Sequence, residues 1–151
     1  MKTFLLLILS SLIAFAVSGC NESHAATKAQ VEATPASIYK TGHGLQLTPS
    51  GRAFIGLKTG EVANHAMPGV GEVTAVPVDA LLRTVKGDFV YVANGEWFLR
   101  TPVVVGAIDR THVEIKDGLY EGDAIVIQGV KGLSLAEIQA LNGGIGCADG
   151  H

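Results

Sequence analysis

The chain has 151 residues, 11 of them basic and 14 acidic, and a net charge of −3. Because this charge is slightly negative and Lys and Arg form no cluster, nucleic acid is excluded as an expected partner. The length suffices for one domain with its own hydrophobic core.

The first 19 residues have the pattern of an export signal. Lys2 precedes an uncharged run from Phe4 to Val17, which is short for a membrane-spanning helix of about 20 residues. Small residues then lead directly into Cys20, an arrangement that resembles the lipobox of bacterial lipoproteins. The pattern therefore predicts a signal peptide over 1–19 and a lipid on Cys20. The alternative is an ordinary signal peptide cut after Ala25-Ala26, with Cys20 in the discarded piece.

A lipidated Cys20 predicts a protein held on a membrane and facing the periplasm of a Gram-negative bacterium. Cys147, the other cysteine, then has no intramolecular disulfide partner, so the core must supply the stability. Residues 20–36 are polar and small, which indicates a flexible tether. Asn21 favours the outer membrane, whereas a pump partner favours the inner one, and both stay open.

Residues 37–75 form the first segment of the predicted domain. Thr48 is a plausible N-cap with Pro49 at the first helical position. We expect a helix of two to three turns, with Ala53, Phe54 and Leu57 along one face. Short, irregular strands are expected from Glu61 to Val78.

Residues 76–142 carry the clearest β pattern. Five short apolar stretches are joined by turns between residues 88 and 128, and Asn94-Gly95 is a strong hairpin signal. Alternation places Val113 and Ile115 in the core and turns His112 and Glu114 outward. We therefore predict a mainly β fold, a small barrel or sandwich with one short helix near each end.

A second helix is expected close to the C-terminus. Ser134 and Glu137 have capping-box spacing, and Leu133 could pack on Ile138 as a hydrophobic staple. Gly143-Gly144 should end the helix, leaving 143–151 as a mobile tail.

An ordered series of motifs resembles the C-terminal, membrane-proximal domain of periplasmic adaptor subunits (membrane fusion proteins) of RND efflux pumps, closest to the heavy-metal, CzcB-like branch. The motifs are Val76-Pro77-Val78-Asp79-Ala80-Leu81-Leu82, Gly87-Asp88-Phe89-Val90-Tyr91-Val92, Val103-Val104-Val105-Gly106, Val113-Glu114-Ile115 and Gly118-Leu119-Tyr120-Glu121-Gly122-Asp123-Ala124-Ile125-Val126. The resemblance implies a circularly permuted SH3-like β-barrel. Residues 39–62 are similar to a segment near the N-terminus of such adaptors.

The chain departs from that family in one respect. Full adaptors carry a long helical hairpin and a lipoyl-like domain between the two segments, and nothing between Val62 and Val76 can form either. The resemblance implies heavy-metal efflux, with an RND inner-membrane pump or a full-length adaptor as partner. Without the hairpin, bridging of a tripartite pump does not follow.

Several side chains could bind a soft or borderline cation such as Cu(I) or Zn(II). Cys147, Asp149 and His151 offer three ligands in the tail. His65 and Met67 share one face of an expected strand, and His43 lies between two glycines. These residues support an alternative function, a periplasmic protein that buffers or delivers a cation.

Partner contact is the other candidate role for side chains. Trp97 and Phe98 are adjacent on an expected strand, so they point to opposite faces and one could dock a partner. No catalytic motif of a hydrolase, a zinc protease or a phosphate loop occurs in the sequence. We therefore expect a binding module and not an enzyme.

Overall fold

The computed structural model describes residues 36–143, which contain two β-sheets and two α-helices. The predicted leader, Cys20, the tether up to residue 35 and the tail residues Cys147, Asp149 and His151 lie outside the described residues. The strands are β1 (Ser37–Lys40), β2 (Gly44–Leu47), β3 (Lys58–Glu61), β4 (Ala63–Met67), β5 (Gly71–Pro77), β6 (Leu82–Thr84), β7 (Gly87–Asn94), β8 (Trp97–Pro102), β9 (Val104–Ile108), β10 (His112–Asp117) and β11 (Ala124–Gln128). The helices are α1 (Pro49–Phe54) and α2 (Val130–Leu141), with a short 3-10 turn at Val78–Ala80. No helix within residues 36–143 is long and apolar enough to cross a membrane.

The larger sheet has seven strands in the order β1-β2-β8-β7-β11-β3, and β6 pairs with β7. Its β7–β8 hairpin confirms the hairpin predicted at Asn94-Gly95. Asn94 pairs with Trp97, so the two turn residues are Gly95 and Glu96, one position later than predicted. Gly95 has a φ of 62°, the left-handed conformation that such a turn requires and that glycine adopts without strain.

The smaller sheet has four strands in the order β4-β5-β10-β9. Its β4–β5 hairpin confirms that the region from Glu61 to Val78 contains strands, but these strands are regular and not irregular as predicted. Five residue pairs run in regular antiparallel register from Ala63↔Ala75 to Met67↔Gly71.

Strands from both segments of the sequence share these sheets. β2 pairs with β8, β3 pairs with β11, and β4 pairs with β5, which in turn pairs with β10. All of these pairings are antiparallel. Residues 37–67 therefore complete the sheets built by the C-terminal strands.

Two groups of buried side chains form the core. The first lies among β5, β7, β10 and β11 and comprises Val62, Val76, Ala80, Val90, Val103, Val113, Ile115, Leu119 and Ile125. The second lies between the larger sheet and α2 and comprises Leu45, Leu47, Tyr91, Phe98, Val126, Val130 and Leu133. Burial of Val113 and Ile115 confirms the alternation predicted for β10.

Helix α1 begins as predicted but is shorter. The Thr48 hydroxyl accepts a hydrogen bond from Gly51 N at 3.2 Å, and Pro49 is the first helical residue. The helix has only six residues and none is buried. Phe54 is 92% exposed, so its prediction as part of an apolar face was wrong. Because the helix ends at Phe54, the apolar contacts come from Leu57, which packs on the second core group.

Helix α2 begins four residues before the predicted N-cap, so the capping box at Ser134 and Glu137 was wrong. Gly129 precedes the helix with a φ of 83° and supplies no side-chain cap. The early start buries Val130 and Leu133, and it places Ser134 inside the helix. The predicted staple was also wrong, because Leu133 is fully buried while Ile138 is 47% exposed. The helix ends at Leu141, just before Gly143, as predicted.

Candidate cation-binding cluster

One face of the four-stranded sheet carries two histidines. His65 of β4 pairs with Val73 of β5, and His112 of β10 pairs with Pro77. Paired residues lie on the same face of an antiparallel sheet, and positions 73 and 77 of one strand also share a face. Val76, one position away, belongs to the buried core. The two histidines are therefore on the face that points away from the first core group.

The histidine rings meet across β5. Their centroids are 3.8 Å apart with an interplanar angle of 22°, which is a stacked arrangement. Asp109, in the turn between β9 and β10, completes the group, with its Oδ2 3.9 Å from His65 Nε2. The prediction that His112 faces outward holds for its direction, but the residue is half-buried and touches His65.

The turn before β10 fixes the Asp109 side chain. Its Oδ1 accepts hydrogen bonds from Thr111 N and His112 N, both at 2.7 Å, and from the Thr111 hydroxyl at 3.1 Å. These backbone donors, first Thr111 and then His112, hold the pKa of Asp109 below its ordinary value, and His65 lowers that pKa further. The carboxylate therefore stays charged, with Oδ2 directed toward His65.

The ligand set suits a metal ion of intermediate softness. One ligand atom from each of His65, Asp109 and His112 can be chosen so that all three lie within 4.8 Å of one another. Two imidazoles and a carboxylate are a common ligand combination for Zn²⁺. Within residues 36–143, this is the only group of three or more His, Cys, Asp or Glu side chains with that spacing.

The sequence predicts only part of this cluster. It selected His65 but paired it with Met67, and it gave His112 no role. The local signal was Asp109-Arg110-Thr111-His112, in which an Asp caps a tight turn and places a histidine three residues later. The contact with His65 could not be seen, because it depends on the register of two strand pairs.

The other predicted ligands lie elsewhere or are not described. Met67 is buried, two positions after His65 on the same strand. His43 is exposed in the β1–β2 turn, its ring 5.8 Å from that of Trp97, and it takes no part in the cluster. Cys147, Asp149 and His151 stay predictions.

The predicted docking pair separates as strand alternation requires. Phe98 is 1% exposed and belongs to the second core group, so its prediction as a partner contact was wrong. Trp97 is on the opposite face, half-buried beside His43. Its neighbour Glu96 accepts a hydrogen bond from Gln46 Nε2 at 2.7 Å, which ties the turn to β2.

Comparison with known families gives the class of the C-terminal part. Residues 74–130, from β5 to the start of α2, match the family described as the CzcB C-terminal circularly permuted SH3-like domain. The match covers less than half of the chain, and it confirms both the predicted fold class and the predicted resemblance of the C-terminal part to the CzcB-type domain.

Among solved structures, the chain is similar to one of a SilB fragment. That NMR structure is a 180-residue piece of SilB from Cupriavidus metallidurans CH34, which encompasses the N-terminal metal-binding site and the membrane proximal domain. The identity is 30%, the similarity covers 63% of this chain and 57% of the SilB piece, and the TM-score is 0.42. The chain thus spans less than two thirds of that piece. No curated protein matches the chain.

Proposed function

We propose that the protein is a periplasmic, adaptor-like lipoprotein that takes part in RND-type efflux of heavy-metal cations and acts by binding other proteins. The match of residues 74–130 to the CzcB C-terminal domain supports this proposal most directly. Residues 37–67 add strands to both sheets of that domain. The partner is then the RND inner-membrane pump or its full-length adaptor, and no chemical step is required of the chain.

The Trp97 side of the β7–β8 hairpin is the proposed contact surface. Tryptophan is enriched at protein interfaces, since a large ring with one polar atom buries much area at low entropic cost. Trp97 is partly exposed and lies against His43. Arg52 also holds the turn, donating from Nη2 to the Glu96 carbonyl at 3.2 Å. A turn backbone held in this way loses little further freedom on binding.

Lipidation of Cys20 would keep this surface close to a membrane partner. A tethered module meets its partner at a raised effective concentration, so a weak contact suffices. Metabolic labelling with palmitate, followed by membrane fractionation, tests the anchor. Label should enter the native chain and not Cys20→Ala, and equal labelling of both would reject the lipoprotein assignment.

Co-purification from membranes tests the contact. The full chain should recover an RND pump or a full-length adaptor, identified by mass spectrometry. Trp97→Ala should reduce the recovery at least several-fold, because truncating a central interface aromatic costs about 2 kcal/mol or more. Phe54→Ala is the matched control, since Phe54 is a fully exposed aromatic on α1 and its loss should change nothing.

Two results would count against the docking proposal. Recovery of no transporter component with the native chain would remove the partner assignment. Equal recovery with Trp97→Ala and with the native chain would leave the partner but move the contact away from this hairpin.

A second function, buffering or delivery of a cation, is favoured by one observation. His65 lies beside Asp109 and His112, so a candidate ligand from the sequence has two further ligands next to it. Binding of Zn²⁺ by the purified full chain tests this function, and no binding at all would reject it.

A further inference from the structure

We infer that His65, Asp109 and His112 form a binding site for a borderline divalent cation of the Zn²⁺ class. This inference rests on the second function proposed above and assigns its site. The three side chains come from β4, from the β9–β10 turn and from β10. Folding of the four-stranded sheet alone therefore assembles the site.

The ligand atoms lie at separations slightly longer than those in a metal site. Ligand atoms bound to a tetrahedral Zn²⁺ at about 2.1 Å lie about 3.4 Å from one another. Here His65 Nε2 and Asp109 Oδ2 are 3.9 Å apart, and the largest separation in the group is within 4.8 Å. An imidazole nitrogen binds a metal through a lone pair in its ring plane, so the two stacked rings must also rotate away from their near-parallel arrangement to point at one ion. The side chains of His65 and Asp109 are 38% and 22% exposed, which leaves an open path for the ion and for a water ligand.

Two of the three ligands are already oriented. The three hydrogen bonds to Asp109 Oδ1 direct Oδ2 toward His65. The Nδ1 of His112 lies 2.9 Å from the Thr111 hydroxyl, which leaves Nε2 as the nitrogen for a metal. Partners of this kind behind the ligands commonly raise metal affinity because they fix ring orientation and carboxylate position.

The contacts among the three side chains do not by themselves explain why these side chains lie together. At 3.9 Å, the His65–Asp109 pair is too long for a hydrogen bond. A divalent cation bound by the two imidazole nitrogens and the carboxylate oxygen would give all three ligand atoms a common partner.

The chemistry also selects the class of ion. Nitrogen and carboxylate oxygen suit Zn²⁺ and similar divalent ions, whereas Cu(I) and Ag(I) prefer thiolate and thioether sulfur. The cluster includes no sulfur ligand. The site therefore lacks the thiolate that Cys147 adds to the ligands predicted in the tail.

Zn²⁺ and Co²⁺ titrations of the purified full chain test the assignment. His65→Ala, His112→Ala and Asp109→Asn should each weaken Zn²⁺ binding by about tenfold or more, since each removes a ligand or its charge. Asn at position 109 can still accept the turn hydrogen bonds, so that variant should keep its fold. His43→Ala is the matched control, since it removes one exposed imidazole away from the cluster, and it should bind as the native chain does.

Tail variants separate this site from the predicted C-terminal ligands. The double variant Cys147→Ser and His151→Ala should keep the affinity, and bound Co²⁺ should show no thiolate charge-transfer band. Affinity unchanged by the three cluster variants would overturn the site but leave cation binding intact. Loss of binding in the tail variant alone would also overturn the site, because it would place the bound cation at the C-terminal ligands. No binding by the native chain would reject both the site and the second function.

If His65→Ala unfolds, His65→Gln replaces it, and circular dichroism without metal checks the fold of each variant.

Discussion

The protein has two polar clusters that differ in their relation to solvent. In the first, the Tyr91 hydroxyl donates to Glu137 Oε2 at 2.7 Å, and Arg100 Nε lies 3.4 Å from the same oxygen. Tyr91 and Arg100 are paired across β7 and β8, while Glu137 comes from α2 and is 2% exposed. Helix α2 closes this cluster, and every group in it has a partner.

The second cluster, of His65, Asp109 and His112, has no covering helix. Its side chains are half-buried, and the distance of 3.9 Å between His65 Nε2 and Asp109 Oδ2 is longer than a hydrogen bond. The comparison shows that a polar group inside a fold becomes structural when its donors and acceptors are matched. It stays available to a ligand when its donors and acceptors are not matched within the protein and solvent can enter.

The largest expected effect concerns the first cluster, of Tyr91, Arg100 and Glu137, which is the closed one because α2 covers it. Tyr91→Ala should lower the free energy of unfolding by about 3–5 kcal/mol, because it empties a core position and leaves a buried carboxylate without its donor. Urea unfolding measures the change. Tyr120→Ala, at a position 80% exposed, should stay within about 0.5 kcal/mol of the native chain. An equal change in the free energy of unfolding for the two variants would show that Tyr91 does not stabilise the packing of α2.

The next largest expected effect is a loss of stability at alkaline pH. Burial and the hydrogen bond to Glu137 raise the pKa of Tyr91 far above its ordinary value, only partly offset by Ser134 and Arg100. The folded chain therefore keeps this proton above about pH 10, where the unfolded chain releases it, and stability must fall as pH rises.

The comparison with Tyr91→Phe isolates that proton. The stability difference between the native chain and the variant should decrease by up to about 1.4 kcal/mol per pH unit above pH 10 and stay constant just below it. Urea unfolding at several pH values measures the difference, in which the other titrating groups cancel. A difference independent of pH up to pH 11 would contradict the raised pKa.

Local sequence patterns predicted the parts of the fold that depend on local chemistry. The cap at Thr48, the hairpin near Gly95 and the alternation at Val113 and Ile115 each follow from a few neighbouring residues. The start of α2 does not follow from its neighbouring residues. Ser134 and Glu137 have capping-box spacing, but burial of Val130 and Leu133 extends the helix toward its N-terminus and takes Glu137 into the core.

The candidate site also combines a feature that local sequence predicts with one that only the tertiary fold determines. The turn that fixes Asp109 is local, and its Asx pattern is visible in the sequence. The meeting of His65 with His112 is not local, because 47 positions separate them and a one-residue slip would turn either ring to the other face. Strand register, which composition does not reveal, decided which histidines became neighbours.

The smallest expected effect concerns the open cluster. Without metal, His65→Ala should change the free energy of unfolding by less than about 0.5 kcal/mol. The hydrogen bonds that hold Asp109 come from Thr111 and His112 and do not involve His65. With Zn²⁺ at about 100 times its Kd, the native chain should gain about 2.7 kcal/mol, and the variant, which binds at least tenfold more weakly, about 1.4 kcal/mol or less. Urea unfolding in chelator and in Zn²⁺ measures both values. A large loss in chelator would mean that the histidine stack is a structural contact like the Tyr91 cluster, and the contrast between closed and open clusters would fail.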